Sequence, residues 1–87
     1  MNVIFLRQPH KFIKRANVNL KERIKKEVSR IKENPSIGER LTGGLKGLKS
    51  HHFVFTKVNY RIAYKVVGDL IIISIATREN FYRDLQI

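Results

Sequence analysis

The sequence predicts a small single α+β domain spanning residues 1–87: a helix hairpin packed on a twisted antiparallel sheet, in the order β-α-α-β-β-β, followed by a short C-terminal helix. Three observations carry this. Leu20, Ile24, Val28 and Ile31 recur at spacings of four, four and three, one apolar stripe of an amphipathic helix. Tyr60, Ile62, Tyr64 and Val66 alternate with Arg61, Ala63 and Lys65, the period of a strand with two unlike faces. The apolar run from Leu70 to Ala76 follows directly across Gly68-Asp69, a tight hairpin signal.

Taken in order, Asn2 to Arg7 reads as a first strand, apolar at Val3, Ile4, Phe5 and Leu6 and too continuous to show one clean face. Pro9 fits the first turn of a short helix, where a missing N–H costs nothing, and Phe12, Ile13 and Ala16 form its buried side. Asn19 is the expected N-cap of the second helix, with Glu22 three residues on as a capping-box partner. Asn34-Pro35 ends that helix. From Ile37 to Ser50 the chain reads as a loop laid on the core through Leu41, Leu45 and Leu48. Its glycines lack the following Lys-Ser or Lys-Thr and the helix of a phosphate-binding loop. His52 to Thr56 is the second strand, Lys57-Val58-Asn59 a turn, and residues 60–66 and 70–76 complete a three-stranded meander. One face of it packs on the helices and the other carries Arg61.

Eighteen Lys and Arg against seven Asp and Glu leave a net charge of +11. Residues 1–34 hold ten of the bases and three of the acids, so the excess is not a tail but surrounds a folded body. Such a field draws polyanions, with an attraction that weakens as salt rises. Charge alone does not separate RNA, DNA and an acidic protein. With no cysteine, disulfides, thiolate metal sites and thiol nucleophiles are excluded, and a reducing cytoplasm is the expected compartment. The apolar start is too short for a signal peptide and the run from Leu70 to Ala76 too short to span a membrane. No pair of histidines with a carboxylate at ligand spacing is present, so neither a metal nor a cofactor is expected.

The chemistry concentrates where buried strands end. Arg78 leaves the run at residues 70–76, and Tyr82 follows four residues later, in reach of the same point in space. Arg61 lies on the neighbouring strand. An arginine grips a phosphate as a planar fork of donors, so Arg61, Arg78 and Tyr82 together suit a phosphodiester substrate. The plainer alternative is a C-terminal amphipathic helix whose Phe81 and Leu85 cap the core. Were the phosphodiester that of RNA, its own 2′-OH would be the nucleophile, and the protein would need only to orient it, move its proton and stabilise the charge on phosphorus. His52 is the proton carrier suggested by ordinary acidity, or else a strand-edge histidine bonded to backbone; it shares a strand face with Val54 and Thr56, while His51 points to the other side. Lys46, Lys49 and Lys57 flank the second strand and are available to RNA phosphates or simply to water. Tyr60 and Tyr64 read as packing residues.

Three stretches together resemble the RelE/ParE superfamily of type II toxins. Leu41-Thr42-Gly43-Gly44-Leu45-Lys46-Gly47-Leu48 is similar to the family's approach to its second strand, Tyr60-Arg61-Ile62-Ala63-Tyr64 to its third, and Thr77-Arg78-Glu79-Asn80-Phe81-Tyr82 to its ending. The resemblance implies a RelE-like fold and an acidic, RelB-like antitoxin as partner. In the RelE-like branch it implies a ribosome-dependent endoribonuclease that cuts mRNA, with Arg61, Arg78 and Tyr82 at the family's catalytic positions. In the ParE-like branch it implies a DNA gyrase poison with no chemistry of its own. His52, Val54 and Thr56 stand where RelE-like relatives often carry bases on the second strand, and Thr77 stands where many carry histidine. A basic nucleic-acid-binding module is the remaining alternative.

Overall fold

A computed structural model describes residues 1–41 and 47–84. The elements are β1 (Val3–Phe5), α1 (Arg7–Arg15), α2 (Val18–Glu33), a 3₁₀ turn (Pro35–Ile37), β2 (Glu39–Arg40), β3 (Lys49–Phe55), β4 (Val58–Val67), β5 (Asp69–Thr77) and α3 (Phe81–Asp84). They form a small α+β domain with one sheet in the order β1-β5-β4-β3-β2. The meander β3-β4-β5 is antiparallel, as the alternation and turns predict. Two features were not foreseen. The sheet is mixed, because β1 adds to β5 in parallel, and the stretch read as a loop contains the two-residue β2 paired with Ser50 and Lys49. Strand β3 accordingly starts at Lys49 rather than His52.

The helix stripe is buried as its spacing requires. Leu20, Ile24, Val28 and Ile31 meet Phe53 of β3, Ile62 and Tyr64 of β4, and Leu70, Ile72 and Ile75 of β5. Phe12, Ile13 and Ala16 of α1 pack against the edge of this core. Pro9 is buried in the first turn of α1, where its nitrogen has no carbonyl to meet. The second helix begins two residues before the expected cap: Asn17, not Asn19, is extended (φ −69°, ψ 168°) and its Oδ1 accepts from the Leu20 N–H at 2.8 Å. The third helical position is then Leu20, so Glu22 takes no part in a capping box.

Two polar side chains complete the backbone pairing where strands run out. β1 stops opposite Ile72, and beyond it the Gln8 amide takes over. Its Nε2 donates to the Ile75 carbonyl and its Oε1 accepts from the Ile75 N–H, both at 2.8 Å. One side chain thus stands in for a strand on the edge of β5. On the other side, the Tyr64 hydroxyl donates to the Pro35 carbonyl at 2.7 Å and accepts from the Gly38 N–H at 2.9 Å. A Cβ on Gly38 would fall 2.5 Å from that oxygen, so the close approach of the 3₁₀ turn to β4 needs glycine there. Burial raises the Tyr64 pKa against the opposing pull of the Gly38 hydrogen bond.

The β3–β4 turn is Thr56-Lys57, not Lys57–Asn59. Phe55 pairs with Val58, and both turn residues have positive φ (46° and 67°). A two-residue turn of this hand matches the strand twist but ordinarily uses Asn or Gly, which is why these residues gave no signal. Between Ala63 and Tyr64 the β4–β5 register shifts, with Ala63 opposite Ser74 and Tyr64 opposite Ile72. The extra residue, Ile73, turns to the face away from the helices.

Asn17→Ala should lower the unfolding free energy by about 1 kcal/mol, while Asn19→Ala should cost well under half of that. Urea denaturation of the two variants distinguishes the caps.

Candidate functional site

The site is built on the sheet face that the two long helices leave open. Pairing places His52 opposite Arg61 and Arg61 opposite Ala76, so these side chains share that face. Asn59 precedes Arg61 by two residues and joins them. Its backbone carbonyl accepts from the Arg78 N–H at 2.9 Å, which ties the turn after β5 to β4. The short helix α3 then lays Phe81, fully buried, against Leu48, Ala63, Leu41 and Ile73 as a second small core on this face.

A cavity of about 520 Å³ opens at the unpaired edge of β3. Arg61, Arg78, His51, His52 and Asn59 line it, with Ser50, Ile37 and Glu39 at the side where β2 ends. The two arginines that spacing placed on adjacent strands therefore meet at one cavity. Arg61 is held with its guanidinium carbon 5.6 Å from the Phe81 ring centroid. Its Nε is sealed from solvent with no hydrogen-bond partner among the described residues. A buried donor left without an acceptor is expensive. His52 is exposed and its Nε2 lies 2.9 Å from Asn59 Oδ1, so that nitrogen carries the proton and donates.

Tyr82 is not among the cavity residues. It is 62% exposed on α3, its ring edge-on to Phe81 with centroids 5.0 Å apart. Of the lysines, Lys49 Nζ donates to the Pro35 carbonyl at a long 3.4 Å, Lys57 is exposed in the Thr56-Lys57 turn, and Lys46 lies outside the described residues, as do Leu45 and Leu85. Tyr60 stacks on Phe53 at 5.3 Å, a packing role as expected. Among the described residues no three His, Asp or Glu side chains gather to hold a metal ion, and no helix is long and apolar enough to cross a membrane.

Sequence reasoning missed the group behind the cavity. Glu27 of α2 is 2% exposed and His51 of β3 is 7% exposed. His51 Nε2 and Glu27 Oε1 are 2.7 Å apart. Arg23 Nε donates to Glu27 Oε2 at 2.8 Å, and Arg30 Nη1 stands 3.7 Å from Oε1. The signal was present: Glu27 falls three residues after Ile24 and four before Ile31, on the apolar stripe itself. Burial pushes the Glu27 pKa up, but the hydrogen bonds from His51 and Arg23 and the charges of Arg30 and His51 outweigh it, leaving the carboxyl below its ordinary 4.5. The expected alternation of His51 and His52 holds, since His51 faces α2 and His52 the open side, yet both residues line the cavity at the strand edge.

A depressed carboxyl pKa stabilises the fold above the unfolded-state value and loses that contribution as pH falls through the folded-state value. Glu27→Gln should therefore cost about 2 kcal/mol at neutral pH, the scale of hydrogen bonds to a charged group. The gap between variant and wild type should narrow as pH drops below 4.5. Urea midpoints at neutral and acid pH measure it.

A family model for the ParE-like toxin of type II bacterial toxin-antitoxin systems matches residues 3–86. No curated protein and no solved structure matches the chain. The family match takes in every described element, from β1 to α3, and with them the whole cavity. The chain belongs to the ParE-like toxins of type II bacterial toxin-antitoxin systems.

Proposed function

We propose that this toxin is a ribosome-dependent endoribonuclease that cleaves mRNA in the cytoplasm through attack of the 2′-OH on the adjacent phosphate. The observation that carries the reading is that Arg61 and Arg78 line one cavity together with His52 and Asn59. Two permanently charged forks at one cavity suit a phosphorane's developing charge, and they act without a change of protonation. The unpartnered Arg61 Nε adds a donor already stripped of water. Lys49 and Lys57 are assigned contact with flanking phosphates, as Lys46 is on its sequence position alone, and the +11 charge brings the chain to rRNA. The cavity holds no group that would orient the 2′-OH in line with the leaving oxygen, so the ribosome is assigned the task of holding the message in line. Tyr82 is assigned contact with RNA outside the cavity, where its exposed ring is free to stack.

A type II toxin has an antitoxin partner. Here an acidic, RelB-like chain is proposed, because a net charge of +11 favours an anionic cover. Co-expression with an acidic neighbour should give a complex that raises the melting temperature and weakens with salt. Failure to isolate any complex at low salt would count against it.

Arg61→Ala and Arg78→Ala should each lower the cleavage rate on programmed ribosomes by about 10²–10³-fold, the scale of deleting one oxyanion donor. Arg78→Lys should also be impaired, because a point charge does not reproduce the fork. Tyr82→Phe should lose less than about tenfold, well short of what proton transfer by that hydroxyl would demand. Lys26→Ala on the outer side of α2 is the control. Toeprinting of translated mRNA reads the cuts. Growth arrest that persists in folded Arg61→Ala and Arg78→Ala variants, together with loss of supercoiling in a gyrase assay, would replace this reading with the gyrase one.

A further inference from the structure

We infer that His51, held by the buried carboxylate of Glu27, is the group that takes the proton from the attacking 2′-OH. The inference rests on the nuclease reading above and adds to it the proton carrier. An ionised carboxylate only accepts hydrogen bonds, so the 2.7 Å contact places a proton on His51 Nε2. Nδ1 is then the nitrogen that remains to accept one. It has no protein partner among the described residues, and the cavity that His51 borders is the one holding Arg61 and Arg78.

Glu27 is the positioning residue. It fixes the tautomer and the ring plane and stabilises the imidazolium formed when Nδ1 is protonated, the role that a buried acid plays behind an active-site histidine. Arg23 and Arg30 hold the carboxylate in turn. Burying Glu27 with His51 between helix and sheet is a costly way to join them, since apolar residues of similar volume commonly do as well. A cluster whose histidine reaches a cavity lined by two arginines has a use for that charge. His52 lacks this support: it is exposed and bonded to a neutral amide, Asn59. Glu27 is itself too enclosed to meet substrate.

In the step, the 2′-OH proton passes to Nδ1, the O2′–P bond forms, and the P–O5′ bond breaks. The leaving 5′-oxygen takes a proton from water, and the hydroxide left behind takes the proton from Nδ1, returning His51 to its neutral form. The products are a 2′,3′-cyclic phosphate and a 5′-hydroxyl, and no oxidant or further reactant is needed. Arg61 and Arg78 hold the phosphoryl oxygens throughout.

The test is single-turnover cleavage of mRNA on purified, programmed ribosomes. His51→Gln keeps an N–H donor for Glu27 but removes the proton carrier, and should slow cleavage by about 10²–10³-fold with ribosome affinity unchanged. His51→Ala should be as slow, and free imidazole should restore part of its rate, which a packing defect would not permit. Glu27→Gln should lose about ten- to a hundredfold with the ring still present. Wild-type rates in folded His51→Gln, or no response of His51→Ala to imidazole, would overturn the assignment. Should both His51 variants prove unfolded by circular dichroism, Glu27→Gln decides, and an unchanged rate there overturns it equally. If Arg61→Ala is inactive while His51→Gln is active, this inference falls alone. If the wild type leaves ribosome-bound mRNA uncut, the nuclease reading falls and takes it along.

Discussion

The placement of β3 depends on a single buried charge. Glu27 has no exit to water, so its carboxylate must find donors where it stands, and it finds them in Arg23, Arg30 and His51. The first two belong to its own helix and would follow it anywhere. His51 does not. A strand has a period of two, so a slip of one residue would turn His51 outward and bring His52 under α2. That slip would leave Glu27 short of a partner and pull Phe53 from the core at the same time. The contact therefore fixes the register of β3, and through pairing it fixes which residue stands opposite Arg61. The apolar stripe sets where α2 lies on the sheet; Glu27 sets which side of β3 it meets.

The open face depends on this. With His52 outward, its partner Arg61 is outward too, and Asn59 and Ala76 follow. Phe81 gives Arg61 a flat surface on one side, and one guanidinium nitrogen stays without a partner among the described residues. Arg78 reaches the same cavity because its own N–H is captured by the Asn59 carbonyl, extending the β4–β5 ladder one step past the last strand residue. Both arginines are thus carried by backbone that is already paired, rather than by a free loop. That is the condition for charges that must act without reorganising.

Much of this was legible in the residues, and the exceptions share a cause. The stripe of α2, the alternation of β4 and the outward position of Arg61 follow from periodicity, which one element displays by itself. Glu27, Gln8 and β2 were not legible as such, because each is defined by a partner distant in sequence: Glu27 by His51, Gln8 by Ile75, Glu39 by Ser50. A polar residue on an apolar stripe announces only that a partner must exist, not which one it is. The choice of Asn17 over Asn19 turned on where α1 ends, at Arg15 with Ala16 as its cap, and Thr56-Lys57 on backbone angles that those residues seldom adopt. In the cavity, Arg61 and Arg78 were placed by strand adjacency. Tyr82 was placed by its distance from Arg78 along the chain, and the turn at residues 78–80 carries it away.

The two faces of β3 divide the chemistry in a way the strand itself explains. Stabilising a phosphorane calls for charges that never titrate, and moving a proton calls for a group that does. On the nuclease reading the first are arginines on β4 and just past β5, set on the open face. The second comes from β3, whose edge beyond Ser50 has no neighbouring strand because β2 ends there. An edge residue can lean on a helix below the sheet and still border a cavity that opens above it. A histidine in the middle of the sheet could do only one of these. The shortness of β2 is therefore what allows His51 to be both the partner of Glu27 and a wall of the cavity, and lengthening that strand by two residues would close the edge through which the ring is reached.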